Sequence, residues 1–144
     1  MFYGRFGHSI DDKGRLILPS KVRIDLGLGV YATRGIDHCL YLYPRAEWER
    51  LSDKMRQLPL TNKDARQFRR FFYGEASELE VDKQGRILIP AYLREYAGLK
   101  TEVVLIGAED HLEVWNAEAY KQENTALEQD PEALAQKLSV LGIL

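Results

Sequence analysis

The sequence predicts a mainly β fold with peripheral helices, in which two halves of one chain interlock pseudo-symmetrically into a single barrel. Three observations predict it. The first is a repeat: residues 10–23, IDDKGRLILPSKVR, return at residues 81–94 as VDKQGRILIPAYLR. At an offset of 71, Asp11 matches Asp82, Gly14 Gly85, Arg15 Arg86, Pro19 Pro90 and Arg23 Arg94, while Leu16–Ile17–Leu18 becomes Ile87–Leu88–Ile89. Downstream, Leu40–Tyr41–Leu42–Tyr43 answers Leu112–Glu113–Val114–Trp115 and Trp48 answers Tyr120, now at an offset of 72; upstream, Phe2–Tyr3–Gly4 answers Phe72–Tyr73–Gly74. The second observation is that the apolar segments are short and bounded by turn residues, as strands are. The third is that a half with four such strands and one turn of helix buries little alone, so each half must complete the other's sheet.

Each copy opens on alternating, strand-like residues and then turns, at Asp11–Asp12–Lys13–Gly14–Arg15 and at Asp82–Lys83–Gln84–Gly85–Arg86. Glycine suits the position of positive φ in such a turn, and an Asp carboxylate can bond the backbone two residues on. A short apolar strand follows, then Pro19 or Pro90, which cannot extend a central strand but suits the first turn of a helix. Helices over Ser20–Leu26 and Ala91–Ala97 should end at Gly27 and Gly98. Val30–Thr33 and Glu102–Ile106 read as strands, with Leu40–Tyr43 and Leu112–Trp115 as their partners. Asp37–His38 and Asp110–His111 fall where hairpin turns belong.

Longer helices separate and follow the copies. Trp48, Leu51, Met55 and Leu58 recur at helical spacing until Pro59. Thr61–Asn62 can cap the next helix, in which Ala65, Phe68 and Phe72 form an apolar stripe opposite Arg66, Arg69 and Arg70. Asp130–Pro131 reads as an N-cap with proline at N1. Leu134, Leu138 and Leu141 then share a face, and Ile143–Leu144 close an apolar end that needs a partner surface.

The 144 residues are 45% hydrophobic and 29% charged, as in a globular domain. No apolar stretch approaches the roughly 18 residues of a membrane span. MFYGRFGHS lacks the apolar core of a signal peptide, so the expected location is the cytoplasm. The single Cys39 excludes an internal disulfide and a cysteine-paired zinc site, and reads as a small buried strand residue. A net charge of −2 argues weakly against a nucleic-acid partner, but the charge is polarised along the chain. Arg5, Lys13, Arg15, Lys21 and Arg23 face only Asp11 and Asp12 in residues 1–23. Lys54, Arg56, Lys63, Arg66, Arg69 and Arg70 face only Asp64 in residues 54–70, a run that is either a second DNA-facing surface or the wet side of a helix. From Thr101 onward nine acids face Lys121 and Lys137. A field so polarised can steer DNA to one face despite the acidic total.

Arg15 and Arg86 are the leading functional candidates. Each follows a turn glycine and precedes an apolar strand, so each side chain should project from a stiff loop. Pseudo-twofold symmetry would set the two loops side by side. The arginine fork matches guanine O6/N7 or a phosphate. Lys13, Lys21, Arg23, Lys83 and Arg94, with Arg5, can supply phosphate contacts that give affinity without sequence reading. The competing reading is that Asp11–Arg15 and Asp82–Arg86 merely staple their turns, and the two readings are compatible. His8, His38 and His111 show no metal-ligand spacing. The repeated Asp–His pairs suit a turn more simply than a catalytic dyad. With no phosphate loop and no nucleophile motif, neither an enzyme nor a cofactor site is expected.

With those residues in view, the chain resembles the MraZ family of bacterial transcription regulators over essentially its whole length. The resemblance rests on the opening Met1–Phe2–Tyr3–Gly4, the two Asp-x-x-x-Arg motifs, and the Gly-Arg-apolar-x-apolar-Pro run after each. One departure is Gln84 where the first copy has Lys13. The resemblance implies two SpoVT-AbrB-type domains, at 5–47 and 76–119, joined by a helical connector at 48–75 and followed by a helical tail at 120–144. It further implies a swapped-hairpin barrel assembled into a homo-oligomeric ring, associated with the nucleoid. The implied function is binding of double-stranded DNA at tandem G-rich repeats upstream of its own division and cell-wall operon, commonly as a repressor. The implied site is Asp11–Arg15 and Asp82–Arg86, with Gly14 and Gly85 shaping the loops and no metal or small-molecule substrate. An antitoxin-like protein-interaction module on the same fold, gripping a partner through its acidic tail, is the rival reading.

Overall fold

The computed structural model describes residues 1–142; Ile143 and Leu144, expected to close the apolar tail, lie outside the described residues. The elements of the first half are β1 (Arg5–Ser9), β2 (Arg15–Ile17), α1 (Ser20–Leu26), β3 (Gly29–Arg34), β4 (Leu40–Pro44), α2 (Arg45–Met55) and α3 (Lys63–Tyr73). The second half repeats them as β5 (Ser77–Glu80), β6 (Arg86–Leu88), α4 (Ala91–Tyr96), β7 (Glu102–Gly107), β8 (Leu112–Asn116), α5 (Ala117–Gln129) and α6 (Pro131–Ser139).

Six strands form one antiparallel sheet in the order β1-β7-β8-β4-β3-β5, and β2 and β6 form a separate antiparallel ladder. The halves therefore exchange their opening strands. β1 pairs with β7, Gly7 opposite Val104, and β5 pairs with β3, Leu79 opposite Val30. The hairpins β3–β4 and β7–β8 meet where Leu42 lies opposite Leu112 and Leu40 opposite Val114. Each half supplies the edge strand that its partner's hairpin lacks, which satisfies backbone groups that a half on its own would leave open.

The main core lies between the sheet and the ladder with its two short helices, and both copies contribute to it in nearly equal measure. Leu16 lies opposite Ile87 in the ladder, 0% and 1% exposed, and Leu18 and Ile89 are both fully buried. Val22 and Leu93 plug it from α1 and α4. Burying one such aliphatic side chain contributes about 1.5–3 kcal/mol, so these four residues add substantially to what holds the halves together. Pro19 and Pro90 sit at the N-cap of their helices, one residue earlier than the expected first turn. Gly27 and Gly98 end the helices at φ 74° and 60°.

The repeat is less regular than a constant offset. From Gly27 to Val30 the chain inserts two residues, and from Gly98 to Val103 it inserts four, so β7 matches β3 at an offset of 73. The second hairpin loop is then one residue shorter, which restores 72 from Leu40 and Leu112 onward. The change in step is absorbed in a loop and a turn, where backbone length is cheap.

The helical pairs differ between halves. α3 returns to its own sheet: Thr33 Oγ1 donates to the Phe72 carbonyl, and Arg34 donates through Nε and Nη2 to the Phe71 carbonyl at 3.0 and 2.7 Å. Trp48 stacks on Tyr31 and Phe72, and Met55 is 8% exposed beneath them. Asn62 caps α3 by accepting from Ala65 N–H, as expected. α2 stops at Met55, short of Leu58 and Pro59, and begins at Arg45, ahead of Trp48. α5 and α6 bury no residue. Leu127, at the position of Met55, is 41% exposed, and Leu134 is 40% exposed. Asp130 caps α6 and Pro131 opens it; the helix ends at Ser139, and Leu141 lies in the turn that follows, its N–H donating to Leu138 O at 2.9 Å. No described helix is long and apolar enough to cross a membrane.

Candidate nucleic-acid interface

The two loops between strands are built alike. Asp11 Oδ1 accepts from the backbone N–H groups of Lys13 and Arg15 at 3.0 and 2.8 Å, and Oδ2 accepts from Arg15 Nε at 2.7 Å. Asp82 repeats this on Gln84 N–H, Arg86 N–H and Arg86 Nε, each at 2.9 Å. The turns close through Gly14 N–H to Asp11 O and Gly85 N–H to Asp82 O, both at 3.0 Å. Gly14 and Gly85 hold φ at 90° and 78°, the left-handed region where a side chain is strained.

The electrostatics follow from those bonds. The Arg15 N–H donated to the carboxylate, and the Arg15 guanidinium beside it, hold Asp11 at about 2, against the weaker opposing effect of burial. Asp82 is likewise held below the ordinary carboxylate range, foremost by the Arg86 N–H. Both carboxylates are therefore charged near neutrality. Each carboxylate engages Nε, and among the described residues neither Arg15 nor Arg86 donates a hydrogen bond through its Nη groups; the two side chains are 32% and 26% exposed. The expected staple is present in both copies: each aspartate closes its turn through backbone N–H groups and engages its arginine at Nε.

Pairing then brings the loops together. In the β2–β6 ladder, Arg15 lies opposite Leu88 and Ile17 opposite Arg86. Strand alternation sends Leu16 and Ile87 inward and sets Arg15, Ile17, Arg86 and Leu88 on one outer face. Leu18 N–H donates to Gly85 O and Ile89 N–H to Gly14 O, both at 2.9 Å, so each loop is bonded to the other half's strand.

The other expected contacts divide. Arg23 lies across the loop of the opposite half, where a Cβ on Gly85 would collide with its guanidinium, and Arg94 lies across the first loop, its Cζ 2.7 Å from a Cβ built on Gly14. Arg94 Nε donates to Ile89 O at 3.0 Å, whereas Arg23 Nε is buried without a hydrogen-bond partner among the described residues. These crossed braces, and the exposed Ile17 and Leu88, were not read from the sequence; the repeat marked Arg23 and Arg94 as equivalent but not which loop each would cover. Lys13 and Lys83 are exposed on the loops. Lys21 points back to Tyr3, its Nζ 5.0 Å from the ring centroid, and Arg5 sits over Tyr120 at 5.1 Å, four residues up β1 from Ser9. The structure does not gather these two with the loops. In the 54–70 run, Arg56 pairs with Asp53 at 2.6 Å and Arg66 donates to Leu60 O at 2.8 Å, contacts local to the helices.

The Asp–His repeat does not survive as a structural one. Asp110 Oδ1 meets His111 Nδ1 at 2.6 Å, but His38 stacks on Tyr96 at 5.1 Å. The shorter second hairpin is the cause: His111 immediately precedes its strand, where Cys39 stands in the first half. Cys39 is fully buried, and burial pushes its thiol well up. Among the described residues, no group of three or more His, Cys, Asp or Glu side chains is placed to hold a metal ion.

Comparison with known proteins converges on one family. The family model described as "MraZ protein, putative antitoxin-like" matches residues 1–71 and again residues 72–138. Transcriptional regulator MraZ of Heliobacterium modesticaldum is 49% identical over 138 residues, 96% of each chain. The proteins of that name from Acetivibrio thermocellus and Clostridium tetani are 49% and 48% identical over 143 residues, 99% of this chain and all of theirs.

Proposed function

The chain belongs to the MraZ family, and from that membership and the paired arginine loops we propose that it is a sequence-specific DNA-binding transcriptional regulator and not an enzyme. The observation that carries the proposal is that one ladder sets Arg15 and Arg86 on the same outer face, each partly exposed and engaged at Nε by the aspartate of its own loop. Two such forks on a rigid two-stranded ribbon suit the major groove, which is wide enough for a ribbon and offers guanine O6/N7 to arginine. Lys13, Lys83, Arg23 and Arg94 surround them and fit phosphate contact, with Lys21 and Arg5 further out.

The target proposed is a set of tandem G-rich repeats upstream of the chain's own division and cell-wall operon, with repression as the outcome. The exchanged strands support a swapped-hairpin barrel, made of the domains at 5–47 and 76–119. A ring of such barrels would present successive Arg15/Arg86 faces to successive repeats, so that weak single contacts multiply. A protein acting there works in the cytoplasm, at the nucleoid.

The test is binding to the upstream DNA against a scrambled duplex across a salt series, for the wild type and Arg15→Ala/Arg86→Ala. Binding that is specific, salt-sensitive and lost in the folded double variant is expected. A wild type that does not prefer the upstream DNA would overturn the proposal. It would favour an antitoxin-like module that docks a protein through the exposed, acidic α5–α6 pair.

A further inference from the structure

The outer face of the ladder carries more than arginine. Ile17 is 48% exposed and Leu88 57% exposed, each directly across from an arginine of the other strand. An aliphatic side chain gains nothing from a phosphate, and a surface built only for backbone contact would carry polar residues at both positions. Both copies instead place an aliphatic residue two positions after the arginine. On the edges of base pairs in the major groove, the apolar group available to such a side chain is the thymine 5-methyl.

Resting on the DNA-binding reading above, we infer that Ile17 and Leu88 are specificity-determining residues that read thymine methyl groups next to the guanines engaged by Arg15 and Arg86. The spacing fits. Residues two apart on a strand are about 6.6 Å apart, and directly opposed residues about 5 Å apart. Base pairs rise about 3.4 Å. Each aliphatic residue therefore meets a base pair within two steps of the guanine. Strand alternation leaves no freedom to withdraw the pair, because turning Ile17 or Leu88 inward would expose Leu16 or Ile87, which are 0% and 1% exposed in the core. Asp11, Asp12 and Asp82 offset part of the charge of Arg15, Arg86, Lys13 and Lys83, but Arg23 and Arg94 lie across the same loops and leave a positive excess around this apolar patch, which favours DNA as its occupant over an uncharged protein surface.

The experiment compares the upstream duplex carrying thymine with the same duplex carrying deoxyuridine, which lacks only the 5-methyl, each against a scrambled competitor. Wild type should bind the thymine duplex more tightly, by roughly fourfold for each methyl contacted. Ile17→Ala/Leu88→Ala, a surface change that keeps Arg15 and Arg86, should bind both duplexes alike while still preferring them to scrambled DNA. A wild type that is specific but indifferent to deoxyuridine overturns this inference and leaves the proposed function standing. A thymine preference that persists in the variant places the methyl contact elsewhere and also overturns it. So does loss of the variant's oligomeric state by sedimentation, which would make the pair a contact between copies. If wild type does not distinguish upstream from scrambled DNA, the proposed function falls and this inference with it.

Discussion

Leu18 donates its backbone N–H to the carbonyl of Gly85 at 2.9 Å, and Ile89 makes the same bond to Gly14. Each turn glycine thus serves two ends: its φ shapes its own loop, and its carbonyl holds the strand of the other half. The loops are one mechanical unit, and a change at either should be felt at both.

Gly14→Ala is expected to destabilise the fold by about 1–3 kcal/mol, through positive-φ strain and collision with Arg94. Urea denaturation measures the loss. Adding Arg94→Ala should restore the steric part but not the strain. Full restoration would show that the backbone conformation costs nothing.

Lys13→Ala and Lys83→Ala should weaken binding to upstream and random DNA alike and reduce the salt slope by about one each. Arg15→Ala should cost about 1–3 kcal/mol on upstream DNA and less on random DNA. Equal losses on both duplexes for Arg15→Ala would refute base reading at that loop.

The low carboxyl values have a definite sign. A group whose folded value is depressed contributes stability above its unfolded value, and that contribution is lost as pH falls through the folded one. For Asp11 the window runs from 3.8 down to about 2, and Asp82 shifts in the same direction. Carboxyl NMR should find both titrating below ordinary aspartates, Asp11 near 2. Asp11→Asn keeps an oxygen for the backbone N–H groups but offers no acceptor to Arg15 Nε. It should lower upstream affinity more than stability, since a solvent-screened pair contributes little to stability.

His111 has the opposite dependence. Burial acts to lower its value, but the carboxylates of Glu113, 3.6 Å from Nε2, and Asp110 outweigh it, so the net shift is upward. A raised value gives stability that is fully present below 6.5 and lost as pH rises through the folded value. Stability measured across that range should fall in wild type and flatten in His111→Gln; an unchanged slope would remove His111 as its source.

Truncation before Asp130 removes α6, whose Leu134 is 40% exposed. We expect the shortened chain to remain folded, because α6 buries no residue, and to lose subunit association in sedimentation. An intact oligomer would exclude α6 as the contact between copies.

The loops were legible in the sequence because their physics is local. Asp11, Gly14 and Arg15 bond within five residues, and Asp82, Gly85 and Arg86 do the same. The caps at Asn62 and Asp130 were legible for the same reason. The burial of Leu16, Leu18, Ile87 and Ile89 also followed from the repeated apolar run, although Ile17 and Leu88 within it turned outward. What alternation along a three-residue strand could not reveal was which face the ladder would cover.

By itself the sequence determined the doubled unit, its turns, its short helices and the arginines those turns present, since hydrogen bonds over a few residues and backbone conformation decide them. Only the tertiary structure decided that β1 joins β7 and β5 joins β3, that Arg23 and Arg94 brace the opposite loops, and that α3 docks while α6 does not. Those outcomes depend on which distant surfaces fit, as where Thr33 and Arg34 receive the end of α3. Such fits join residues far apart in the chain, so no local segment specifies them by itself.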